Sequence, residues 1–208
     1  MASQSRKKRE REQHLRSILQ AAEEVFARKG FHGATVQEIA DRAEFSVGYL
    51  YTLFAGKQDL YVQLVELRAA QFMAELRERV AGEEDVLGKI RVSIEAKFDF
   101  FRRDQQFFHI FTHMSADGRA RGPVFIPERC QKMYRDYLAE MRDIFAEGVR
   151  RGVFVDVEPM SMALCMEGMT RAILAYRIFN DGEDALEADP ELVERMFLRG
   201  VLAEGTDS

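Results

Sequence analysis

The stretch TVQEIADRAEFSVGYLYTLFAGK, residues 35–57, decides how this chain is read. Thr35 can cap a first turn while Glu38, three residues on, returns the bond, which is the reciprocal pattern of a capping box. Ile39 and Ala43 then face one side. A break of three or four residues follows, and Ser46 caps a second short helix. Val47, Leu50, Leu53 and Phe54 recur at helical spacing, yet Tyr49, Tyr51 and Lys57 interrupt what would otherwise be a buried face. Two short helices over 35–43 and 46–53, joined by so tight a turn, form a helix-turn-helix. A short helix held by its neighbours can lay its first turn in the DNA major groove. That places Ser46, Val47, Gly48 and Tyr49 against DNA. Gly48 admits close backbone approach, and the hydroxyls of Ser46 and Tyr49 can bond base edges or phosphate. Tyr51 and Thr52 extend the polar edge, and Lys57, opening the next helix, can place its charge on a phosphate.

Residues upstream support that assignment. Leu15, Ile18, Leu19, Ala22, Val25 and Phe26 make one helical stripe, and Gly30 is a natural terminator after Lys29. Residues 1–16 carry Arg6, Lys7, Lys8, Arg9, Arg11 and Arg16 against only Glu10 and Glu12, whereas the whole chain has a net charge of −5. A basic arm on an acidic body suits contact with a polyanion. With 208 residues and 47% hydrophobic content, the composition is that of a globular protein. No apolar run reaches the roughly 20 residues of a membrane span. The charged N-terminus leads into no apolar core of a secretory signal. Cys130 and Cys165 lie far apart, which argues for a reducing compartment and against a zinc ribbon. A cytoplasmic location is expected.

Strand signals are nearly absent, so the expected fold is all-α, with about nine helices. After a long segment over 58–80, helices are expected over 84–103, 105–115, 127–151, 159–180 and 190–203. Asp104 is a candidate cap for the second of these, and Pro127, Pro159 and Pro190 fall in first turns. The middle helices are rich in Phe, Met and Tyr. Phe101, Phe108, Phe111, Met114, Tyr137, Met141, Cys165 and Met169 are candidate walls of a pocket for a small hydrophobic effector. The last two helices offer Met166, Thr170, Ile173, Arg177, Val193, Met196, Phe197 and Gly200 as a candidate dimer interface. His109 and His113 share a helix face at i, i+4, but no third ligand is near in sequence, so no metal and no cofactor is assigned. No catalytic constellation is present, and the chain does not read as an enzyme.

The segment ILQAAEEVFARKGFHGATVQEIADRAEFSVGYLYTLFAGKQDLY resembles the DNA-binding domain of the TetR/AcrR family of bacterial transcriptional regulators. The resemblance rests on Gly30-Phe31, Thr35 with Ile39-Ala40, Leu50-Tyr51 with Phe54, and Lys57 with Asp59-Leu60. It covers about residues 11–61. It implies that Thr35, Tyr51 and Lys57 grip phosphates, that Ser46 to Tyr49 face bases, and that Phe54 locks the recognition helix to the helix behind it. It further implies a homodimer on a pseudo-palindromic double-stranded operator, released by an effector bound in the C-terminal helices. Residues 1–10 are then a basic arm, 11–57 the DNA-binding domain with its motif over about 34–53, and 58–208 a ligand-binding and dimerisation domain. The chain departs from the family pattern at Glu44, where glycine is frequent, at Val47, often polar, and at Leu53, often a residue that touches DNA backbone. A second reading keeps the same DNA domain in an architectural or partner-recruiting protein with no effector.

Overall fold

The computed structural model describes residues 2–105, 107, 128–179 and 190–203. Eight helices occur among them: α1 (Ala2–Gly33), α2 (Val36–Ala43), α3 (Val47–Leu53), α4 (Lys57–Ala81), α5 (Val86–Arg103), α6 (Glu128–Arg150), α7 (Pro159–Phe179) and α8 (Pro190–Val201). The only strand-like pairing among the described residues is an isolated bridge between Phe154 and Leu202. None of the described helices is long and apolar enough to cross a membrane. The expected helix over 105–115, with Phe108, His109, Phe111, His113 and Met114, lies largely outside the described residues, as does Pro127. Asp104, expected to open that helix, closes α5, its N–H donating to Phe100 O at 2.9 Å, and the residue after it, Gln105, is helical.

The chain divides into two compact units, and the division runs through α4 between Arg68 and Ala69. The first unit holds α1, α2, α3 and the start of α4. Its core is the stripe Ile18, Leu19, Ala22, Val25 and Phe26 of α1, closed by Ile39, Leu50, Phe54, Leu60 and Leu64. The α1 helix breaks at Gly30, whose φ of 68° is the left-handed conformation that glycine adopts without steric cost. The break redirects the chain so that α2 packs back on α1. A guanidinium from α4, Arg68, bonds the buried Glu23 of α1 at 2.5 Å and ties the two helices together.

The second unit is built from the rest of α4, α5, most of α6, α7 and α8. Asp85 caps α5 by accepting from Gly88 N at 2.7 Å, and Val86, Ile90, Ile94, Phe98 and Phe101 follow as its buried stripe. Pro159 and Pro190 open α7 and α8, where a missing N–H removes no helical bond. The turn after α6 packs tightly, because the Phe154 ring occupies the space a Cβ on Gly148 would need. Val155 N–H then donates to Val201 O at 2.9 Å, which fastens this turn to the end of α8.

Two groups of expected positions are corrected here. Met166, Thr170, Val193 and Phe197 do not form an outer interface, because they are buried inside the protomer's own bundle. The outward side of α7 carries Leu164, Cys165, Ala172 and Tyr176, and that of α8 carries Met196, which is 59% exposed, and Gly200. Ile173 and Arg177 are intermediate. Of the pocket candidates, Phe101, Tyr137 and Met141 are buried and Met169 is intermediate, but Cys165 is exposed and does not join them.

Candidate nucleic-acid interface

The two short helices are built by their caps. Thr35 Oγ1 accepts from Glu38 N at 3.2 Å, and Glu38 Oε2 accepts from Thr35 N at 3.0 Å. Lys29 also bonds Glu38, and together with the Thr35 contacts it holds the Glu38 carboxyl below its usual range. At the far end of α2, Glu44 sits at φ 61°, ψ 35°, and its N–H reaches back to Asp41 O while Phe45 N–H donates to Ala40 O at 3.0 Å. That left-handed turn aims α3, and it is an unfavourable conformation for a residue with a Cβ. Glu44→Gly is therefore expected to raise stability by roughly 0.5–1 kcal/mol. Urea unfolding of the variant against the parent measures it, and no gain would mean that Glu44 has a compensating contact.

Ser46 caps α3, its Oγ accepting from Tyr49 N at 3.1 Å, and Thr52 Oγ1 donates to Tyr49 O at 2.6 Å. Ser46, Gly48, Tyr51 and Thr52 are exposed, Tyr51 to 57%, while Leu50 is buried beneath them. Among the described residues nothing lies within 4 Å of a Cβ placed on Gly48, so this edge of α3 is open to a large partner. Val47, Tyr49 and Leu53 are half-buried along its sides, and Thr35 is exposed at the start of α2.

Besides these local caps, two of the expected DNA contacts, Tyr49 and Lys57, have partners on other elements of the protein. Tyr49 stacks on Phe45 at 5.3 Å, and its hydroxyl shares a 2.9 Å hydrogen bond with His14 Nδ1 of α1. The His14 ring lies 4.9 Å from Phe45, so three aromatic rings fasten α3 to the first helix. Lys57 Nζ donates to Ala34 O at 2.8 Å and His32 O at 3.2 Å, and lies 4.8 Å from the centre of the Phe31 ring. Sequence reasoning passed over His14 and Phe45. The signals were an aromatic in the turn and a histidine four residues before Ile18 on the α1 stripe. Between α1 and α3 lies a groove of about 380 Å³ lined by Lys7, Glu10, Arg11, His14, Tyr49, Thr52 and Leu53. The basic arm thus continues α1 as helix and runs beside the recognition helix, although Arg6 spends its charge on Glu10 at 2.9 Å.

The profile of the family described as bacterial regulatory proteins, tetR family, matches residues 18–64, which contain both capped helices and the turn between them. The chain belongs to the TetR family. TetR proteins are DNA-binding transcriptional regulators, and the chain is accordingly a regulator rather than an enzyme. It is 33% identical over 100 residues to the HTH-type transcriptional activator FasR of Mycolicibacterium smegmatis, a match that spans 48% of this chain and 46% of that protein. It is 24% identical over 135 residues to the fatty acid metabolism regulator protein of Bacillus subtilis, covering 65% of this chain and 68% of the relative. The fold resembles that of the transcriptional regulator FadR from Bacillus subtilis in complex with stearoyl-CoA, with a TM-score of 0.77 at 22% identity over 88% of this chain and 97% of that one. Like other TetR folds, it joins a helix-turn-helix to a larger helical region.

Proposed function

We propose that this TetR-family protein acts in the cytoplasm as a homodimer on a pseudo-palindromic operator, most simply as a repressor released by an apolar small molecule. The observation that carries the DNA reading is the exposed polar edge Ser46–Thr52 on a capped, anchored helix, with the basic turns of α1 alongside. One such helix reads too few base pairs to be selective, whereas two related by symmetry read a longer site. Thr35, Tyr51 and Lys57 are assigned to phosphates and Ser46, Val47, Gly48 and Tyr49 to bases, with Thr52 at the margin. The test is binding of the purified protein to DNA flanking its own gene. Affinity should depend on sequence and fall steeply with salt. Binding that ignores sequence would leave only the architectural reading.

The outward faces of α7 and α8 support a dimer. A helix that is apolar all round is normally covered on every side, and α7 buries Met162, Met166 and Leu174 while exposing Leu164 and Tyr176. Among the described residues nothing lies within 4 Å of a Cβ placed on Gly168 or Gly200, so these surfaces leave room for a second helix. The Leu164→Arg, Met196→Asp pair is expected to yield monomers in sedimentation. Its affinity for the full operator should fall on the order of 100-fold, the loss of a linked second site. A variant that stays dimeric would move the interface elsewhere.

The effector reading draws on the aromatic and methionine content of the second unit and on the acyl chemistry named for the relatives. An acyl chain is the favoured apolar portion. The ligand must bind the released and DNA-bound forms with different affinities to shift between them.

A further inference from the structure

Three helices of the second unit meet around a buried ion pair in apolar surroundings. Lys97 of α5 donates to the Glu167 carboxylate of α7, and the two side chains are only 13% and 10% exposed. The same ammonium lies 4.7 Å from the centre of the Tyr137 ring of α6. Beside Tyr137 the wall is aromatic: Phe72 lies 6.2 Å from its ring and 5.4 Å from the Phe100 ring. A lysine and a glutamate held between helices are expensive to strip of water. Replacing such a pair by well-packed apolar side chains is often neutral or stabilising. Stability of the bundle therefore gives little reason for them to be here.

Two features of the cluster point to a ligand. Tyr137 is 4% exposed and, among the described residues, its hydroxyl has no hydrogen-bond partner. A buried donor left idle loses its bonds to water and gains none in return, so its retention calls for an explanation. The ammonium is also short of anionic support. Among the described residues Lys97 has the Glu167 carboxylate for a partner, and burial together with the nearby Arg171 pushes the ammonium down to about 7, so a further anion would favour its charged form. A cation held at a disadvantage and an unused O–H donor, set against phenylalanine rings, complement a carboxylate on an otherwise apolar molecule. Its two oxygens can accept from the Tyr137 hydroxyl and the Lys97 ammonium together, each at about 2.8 Å. A neutral alcohol would pair the tyrosine and give the ammonium no further anion. A phosphate would bring a second negative charge against Glu167.

We propose that Lys97, Tyr137 and Glu167 form the head-group site for the carboxylate of an effector whose remainder is apolar, a proposal that rests on the ligand-responsive reading above. The ligand competes with Glu167 for Lys97, so its arrival changes the tie between α5 and α7.

The test is equilibrium binding of decanoate and decanol to the full chain by calorimetry, with operator binding measured on the same samples. Decanoate should bind at least about 10-fold tighter than decanol, the worth of one charge-assisted hydrogen bond. Tyr137→Phe should weaken decanoate more than decanol, because the hydroxyl bonds a charged acceptor more strongly than a neutral one, and should shrink that preference to about 3-fold or less. Glu167→Gln should strengthen decanoate binding by removing the competing carboxylate. The double variant Lys97→Met, Glu167→Gln, which leaves no unpaired buried charge, should stay folded and lose the preference. Equal binding of the two probes, no binding of decanoate, or an intact preference in Tyr137→Phe would each overturn the proposal. So would tighter binding of decanoyl-CoA that none of these substitutions alters. Sequence-selective operator binding in the same samples would show that the regulator reading survives such a failure.

Discussion

Phe54→Ala is expected to lower the unfolding free energy by about 3–4 kcal/mol and to abolish operator binding at temperatures where the parent binds. The recognition helix α3 is seven residues long, far below the length at which a helix holds itself in water. It persists because Leu50 and Phe54 are sunk into the core of the first unit, Phe54 to 2% exposure. Phe54 also ends the helix: its backbone is extended at φ −132°, and its N–H donates to Leu50 O at 2.9 Å. Truncating the ring removes a large buried surface at the point where the chain turns into α4, so α3 loses its far anchor. Leu53→Ala is the contrast. Leu53 is half-buried on the wall of the groove, and its loss should cost no more than about 1 kcal/mol. Urea unfolding and operator titration of both variants check this. A Phe54→Ala protein with parental stability and affinity would show that α3 is held at its N-terminal end alone.

The features that could be read ahead of the structure are those written within a few residues of each other. The Thr35–Glu38 box, the Ser46 cap and the glycine break at Gly30 each involve neighbours in the chain, and each stands where its local pattern puts it. The fold class follows from the same local signals. What could not be read depends on phase or on distance. Because α7 is apolar on every side, its periodicity does not say which side faces in: Met166, expected at the interface, is buried, and Leu164 is exposed. His14 and Tyr49 are 35 residues apart, and Lys97 and Glu167 are 70 apart. No spacing rule joins such pairs; only the packing of the helices does.

Lys57→Ala is expected to act twice. The Lys57 ammonium bonds the carbonyls of His32 and Ala34 and lies over Phe31, which closes the turn that follows Gly30. Hydrogen bonds from a charged donor contribute about 1.5–3 kcal/mol each when buried, and this lysine is half-buried, so a loss of about 2 kcal/mol is expected. An ammonium has three N–H donors, and two are committed to those carbonyls. The third, with the undiminished charge, remains for a phosphate. If it serves there, the plot of log affinity against log salt should become shallower by about 0.9 in the variant. Tyr51→Phe separates the two effects. Tyr51 is 57% exposed, so removing its hydroxyl should leave stability unchanged while weakening operator binding by about 10-fold. Reduced stability with an unchanged salt slope in Lys57→Ala would make that lysine a clamp on the turn and nothing more. An unchanged melting temperature would remove the clamp, and an unweakened Tyr51→Phe would take Tyr51 out of the interface.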